Sequence, residues 1–184
     1  MKLLFCDNGL PMLLNFRQEI IDYFLSQGHE VVLVYPEHTA NEALLSKVSQ
    51  SCKCYGVNCE PSGFNPLKDI RYFWQLKKIY SIEKPNIAFH YTIKPNIYGT
   101  LASKMNGIKA VAMLAGLGVV FAGSSLWQRF GRTLYKFALR KADKVIVLNK
   151  RNYNTLSQSK FVDTQKLILF KAGEGVNLKK YSNE

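Results

Sequence analysis

Seven short apolar runs, separated by longer amphipathic stretches, set the plan of this chain. Residues 2–6, 31–34, 53–57, 86–89, 108–114, 144–148 and 167–170 have strand length and enough apolar character to be buried on both faces of a sheet. The stretches between them repeat at helical spacing. Phe16, Ile20, Ile21, Phe24 and Leu25 form one face of a helix that Gly28 ends. Residues 42–49 make a short helix, and Asn65 with Pro66 caps and opens another carrying Ile70, Phe73, Trp74, Lys77, Lys78 and Tyr80. Pro95 opens a helix with Ile97, Leu101 and Met105 spaced by four. Ser124 or Ser125 caps one over 126–141, whose Trp127, Phe130, Leu134, Phe137 and Ala138 are expected to pack on the sheet, and 151–157 is the last. Alternating strands and helices joined by right-handed crossovers predict an α/β fold: a doubly wound, Rossmann-like parallel sheet of about seven strands with helices on both faces.

In such a sheet the chemistry gathers at the carboxyl ends of the strands. The run Ile87, Ala88, Phe89 passes directly into His90, Thr92 and Lys94, so polar groups are expected at that rim. His90, whose reference pKa lies near neutrality, is the candidate to orient or deprotonate a hydroxyl, against the plainer reading of a hydrogen-bonded histidine at a strand end. Lys94 suits a phosphate and Thr92 a sugar hydroxyl, with a solvated lysine as the alternative. Tyr98 is more a packing residue than a contact. Gly9 and Asn15, where the first loop meets the first helix, offer amide groups to the crevice or form an ordinary turn. Arg17 is a ligand contact or a solvated helical residue. Gly116, Leu117 and Gly118 allow close backbone approach to a ligand. The first strand–helix–strand unit has only Gly9 where a dinucleotide fingerprint needs three glycines, which disfavours a nicotinamide or flavin enzyme.

With 184 residues, 47% hydrophobic and 12% aromatic, the chain supports one core and one domain. The domain is expected over 1–172, with 173–184 as a linker. The uncharged stretch 110–123 is fourteen residues long and contains three glycines, too short and broken to span a bilayer. Asp7 and Asn8 interrupt the apolar start before a secretory signal forms, so a cytoplasmic protein is expected. Cys6, Cys52, Cys54 and Cys59 lack zinc-site spacing and read as reduced thiols, and no metal is expected. Twenty-five basic against thirteen acidic residues leave a net charge of +12, which predicts an anionic partner. Arg129, Arg132, Lys136 and Arg140 form one helical stripe. At about 1 kcal/mol each near an anionic membrane, four such residues can hold a domain at the surface. A solvated helix face is the alternative. Nucleic acid is disfavoured, because no stacking aromatics accompany the charges.

Four segments together resemble the amino-terminal domain of a family 4, GT-B type glycosyltransferase of bacterial capsule and O-antigen synthesis. They are Asn15 with Arg17, the run H-Y-T-I-K-P-N-I-Y-G from His90 to Gly99, A-G-L-G-V-V-F from Ala115 to Phe121, and G-x-G-V-N-L from Gly173 to Leu178. The last is similar to the linker that leads such enzymes into a second Rossmann domain. The resemblance implies an acceptor-binding half acting on a lipid-linked saccharide at the inner face of the cytoplasmic membrane. It also implies a nucleotide-sugar donor held by a second domain or subunit, retention of configuration, no metal and no cofactor. The family's E-x7-E signature belongs to that other half; Glu30 and Glu37 fit its spacing by coincidence. Where many relatives carry a histidine after the fifth strand this chain has Gly116, Leu117 and Gly118, which makes His90 the nearest substitute. Without a donor domain the chain is expected to be inactive or nearly so. A non-enzymatic glycan- or partner-binding module, from a truncated or split enzyme, is the alternative.

Overall fold

A computed structural model describes residues 1–60, 63, 65–117 and 126–171, with only the backbone at 127. The elements run in chain order as β1 (Lys2–Cys6), α1 (Leu10–Phe16), α2 (Gln18–Ser26), β2 (Glu30–Pro36), α3 (Glu42–Val48), β3 (Cys52–Val57), α4 (Pro66–Glu83) and β4 (Ile87–Tyr91). There follow α5 (Thr100–Met105), β5 (Lys109–Leu114), α6 (Leu126–Lys141), β6 (Lys144–Val147), α7 (Lys150–Gln158) and β7 (Leu167–Leu169). All seven strands pair in parallel in the order β3-β2-β1-β4-β5-β6-β7. The fold is the single-domain, Rossmann-like α/β sheet that the apolar pattern predicts.

Right-handed crossovers decide which helix covers which face. The steps from β1 to β3 run one way, so α1, α2 and α3 bury one face through Leu10, Leu13, Ile21 and Val48, against Leu3, Phe5, Val31 and Leu33. The steps from β3 to β7 run the other way and carry the remaining helices to the opposite face. There Tyr72, Leu76, Tyr80, Ala102, Tyr135, Ala138, Leu139 and Leu156 pack on Leu4, Cys6, Ala88, Ala112, Val145 and Val147. Successive strand residues point to opposite layers, as the two-residue period requires. Side-chain oxygens of Asn41, Asn65 and Asn149 cap α3, α4 and α7 by accepting from the backbone three residues on.

Three helices differ from expectation. The first helical stretch is two helices that meet at Arg17, so Phe16 and Ile20 are exposed and Ile21 carries the burial. Along α4 the buried stripe is Tyr72, Leu76, Ile79 and Tyr80, leaving Ile70 and Trp74 exposed. Along α6 it is Tyr135, Ala138 and Leu139, so Phe130 and Phe137 do not pack on the sheet. Both long helices thus have two apolar stripes, and only one faces the core.

Candidate functional site

Strands β1 and β4 lie side by side, yet the chain leaves them toward opposite faces. Such a reversal marks the place, above the strands' carboxyl ends, where open α/β sheets form their ligand crevice. From β1 comes Asp7, 2% exposed, whose amide donates to the Val34 carbonyl (3.2 Å) and whose carboxylate accepts from the Asn8 amide (2.6 Å). Thr39 braces this loop from the neighbouring rim. Its hydroxyl accepts from the Leu10 amide (3.1 Å) and donates to the Pro36 carbonyl (2.6 Å). From β4 comes Tyr91, whose ring lies 4.3 Å beneath the Arg17 guanidinium carbon. The Arg17 backbone is where α1 ends and α2 begins, which turns its side chain back over β4.

Thr92 follows with φ +66°, a left-handed conformation rare for a β-branched residue. Its hydroxyl donates to the Tyr91 carbonyl, and its side chain is exposed at the crevice. A strained residue at this point fits a constrained ligand contact. One strand further along the rim, residues 115–117 continue from β5, with Ala115 and Gly116 exposed and Leu117 packed against the core.

Of the expected contacts, the crevice brings together Gly9, Arg17 and Thr92, with Gly116 and Leu117 on the adjoining strand end. Gly118 lies outside the described residues. Asn15 is on the exposed side of α1. Gly9 has an extended backbone with φ −173° and its nearest would-be Cβ neighbour at 3.6 Å, so nothing local requires glycine there. A Cβ on Gly116 meets nothing within 4 Å.

His90 is a correction. Its ring is completely buried on the α4–α5 side of β4, where the Tyr80 hydroxyl lies 3.1 Å from Nε2, with Ser103 at 3.4 Å. The Thr100 hydroxyl lies 3.5 Å from Nδ1. Burial pushes its pKa down from 6.5 to about 3, so it stays neutral and touches no part of the crevice. Gly99 completes the arrangement. A Cβ there would sit 2.3 Å from His90 Cδ2, which explains why this run has histidine and glycine nine residues apart.

Lys94 and Tyr98 are also turned inward. Lys94 Nζ is 2.7 Å from Asp69 Oδ1, and both side chains are under one-tenth exposed. The ammonium group thus serves a buried ion pair and is not extended toward a phosphate. Tyr98 sits in a π-helical turn (Pro95–Gly99), edge-on to Tyr72 at 5.9 Å. Burial, and then the Asp69 carboxylate, raise its phenol well above the ordinary value. Asn96 ties this turn to β5 and α6 through the Met113 carbonyl (3.0 Å) and the Tyr135 hydroxyl (3.3 Å).

The basic stripe of α6 is only partly free. Arg140 donates to the Lys160 carbonyl (2.9 Å), and Lys136 lies 5.8 Å over the Phe161 ring; Arg129 is exposed, and Arg132 is half-buried. Asp7, Tyr91 and Asp69 are the residues that sequence reasoning missed. Asp7 was detectable as the first polar residue after β1, at the same position where Thr92 follows β4. Among the described residues no three histidine, cysteine, aspartate or glutamate side chains gather as metal ligands, and no helix is long and apolar enough to cross a membrane.

The same half-fold recurs in larger proteins. UDP-GlcNAc 2-epimerase from Methanocaldococcus jannaschii superimposes with a TM-score of 0.67 at 15% identity, over 92% of this chain and 45% of that one. MurG from Acinetobacter baumannii gives 0.61 at 12%, over 91% and 44%. Anabaena Alr3699/HepE in complex with UDP gives 0.67 at 14%, over 100% and 47%. The chain therefore spans less than half the length of these structures, and what they share with it at such identities is the fold. No curated protein matches the sequence. A family model described as "Glycosyl transferase 4-like" matches residues 3–149, a span that includes the β1–β4 crevice and the His90 to Gly99 run. By that match the chain belongs to the glycosyl transferase 4-like family.

Proposed function

We propose that this chain is the acceptor-binding half of a retaining glycosyltransferase that moves a sugar from a nucleotide-sugar to a lipid-linked saccharide in capsule or O-antigen synthesis, at the inner face of the cytoplasmic membrane. The observation that carries the reading is the crevice between β1 and β4, where a carboxylate, a guanidinium stacked on tyrosine and a strained threonine converge. Mixed donors and acceptors on a rigid sheet end suit a hydroxyl-rich ligand. Thr92, exposed at the rim, orients the acceptor sugar, and Arg17 takes its anionic part by charge-assisted hydrogen bonds. Holding the attacking hydroxyl in place is this half's share of the rate, while the leaving phosphate belongs to a donor-binding half. No metal is assigned to either task.

Calorimetry with a panel of hexosyl-diphosphoryl-citronellol acceptors tests this. One or more should bind, and Arg17→Ala should weaken that binding about tenfold. Supplying the donor-binding half of a glycosyl transferase 4-like enzyme in trans should then transfer labelled sugar to the bound acceptor. Because the half-fold also occurs in UDP-GlcNAc 2-epimerases, the assay follows sugar epimers as well; epimer without transfer product would refute the reading.

A further inference from the structure

Between α4 and α6, over the short α5, lies an open apolar groove of about 350 Å³. Tyr98 and Leu101 form its floor, and Ile70, Phe73, Phe130 and Leu134 its walls. These walls are the second apolar stripes of the two long helices. Their rims carry large exposed side chains: Leu67 is 81% exposed, Leu126 79%, Ile70 54%, Trp74 54%, Phe130 53% and Phe137 52%. Isolated exposed apolar residues are ordinary, but a groove with a continuous rim marks an interaction surface.

Charge selects the partner. Helices α5 and α6 contain no acidic residue, and the two of α4, Asp69 and Glu83, are buried and paired with lysines. Beside the apolar rim stand Lys78 and Arg129, both exposed, while Lys77 lies 4.7 Å over the Trp74 ring and Lys141 5.6 Å over that of Phe137; Lys68, on the far side of α4, is paired with Glu60. Aromatic rings backed by lysines, with basic side chains outside them, match the boundary between acyl chains and anionic headgroups. A second copy of a chain with net charge +12 would bring like charge against like.

We propose that the α4–α6 face docks on an anionic lipid bilayer, with the groove and its aromatic rim immersed at the headgroup–acyl boundary. Helices antiparallel to the strands begin at the strand carboxyl ends, so the Pro66 end of the groove lies toward the carboxyl-end rim of the sheet. The lipid-linked acceptor reading gives this face its purpose, but vesicle binding is measured without sugar transfer, so each claim can fail alone.

The test uses the 184-residue chain with phosphatidylglycerol-containing or pure phosphatidylcholine vesicles, in a Trp127→Phe background that leaves Trp74 as the single indole. Binding to the anionic vesicles should blue-shift Trp74, and lipids brominated near the carbonyl should quench it. Ile70→Asp with Phe130→Asp should lower partitioning at least about tenfold, with unchanged circular dichroism and unchanged calorimetric binding of soluble acceptors. Absence of vesicle binding, binding with unquenched Trp74, or full binding by the double variant would overturn the proposal. So would self-association without lipid that the double variant abolishes, because the face would then serve a second copy.

Discussion

His90 and Gly99 occupy one space, and replacing either tests the burial directly. Gly99→Ala places a methyl group on an imidazole that is hemmed in by Tyr80, Thr100 and Ser103, and should cost about 1–3 kcal/mol. Gly116→Ala meets open space and should leave the urea midpoint unchanged. Because burial holds folded His90 neutral to about pH 3 while the unfolded chain protonates near 6.5, the unfolded state takes up the proton first on acidification. The stability His90 gives is therefore full above pH 6.5 and is lost as pH falls toward 3. In His90→Gln the fall of the urea midpoint across that window should flatten; an unaltered slope would mean that His90 is solvated. Thr92→Gly relieves the left-handed strain and should raise stability by up to about 1 kcal/mol while weakening acceptor binding. Sequence ended β4 at Phe89, whereas the strand continues through His90 to Tyr91 and only Thr92 follows its end. It did not reveal that residues two apart on β4 share a layer, so that His90, like Ala88, faces the helices while Thr92 escapes above the rim.

At the scale of elements, the Lys94–Asp69 pair joins the loop after β4 to the first turn of α4. Lys94→Met leaves a buried carboxylate unpaired and should cost about 3–5 kcal/mol. Adding Asp69→Leu should recover most of that loss, a result read as a large coupling in a double-mutant cycle. If Lys94→Met instead left stability intact and weakened acceptor binding, the lysine would belong to the crevice after all. The strands were legible because double burial writes itself as uninterrupted apolar runs. Helix faces were less so, since α4 and α6 each carry more apolar residues than one face holds. Periodicity finds such a stripe without saying which of two is buried. The break at Arg17 was hidden for a related reason, because α1 and α2 continue the same amphipathic pattern across it.

The strand order, with its reversal between β1 and β4, gives the whole molecule its meaning. It places the loops of β1, β4 and β5 along one rim, and it sends α4, α5 and α6 to one face, where their outer stripes meet in the groove. Alternation of strand and helix made the architecture readable, and the His90 to Gly99 run made the family readable. The residues of that run mainly hold the rim in shape. The crevice itself relies on Asp7, Arg17 and Tyr91, whose meeting depends on pairing between strands separated by four helices and two other strands. Amide chemical-shift mapping tests this most directly, with the labelled chain titrated by the hexosyl-diphosphoryl-citronellol panel. Shifts concentrated at residues 7–10, Arg17, residues 91–92 and residues 115–117 are predicted, and shifts confined to other surfaces, or none with any member, would contradict the account.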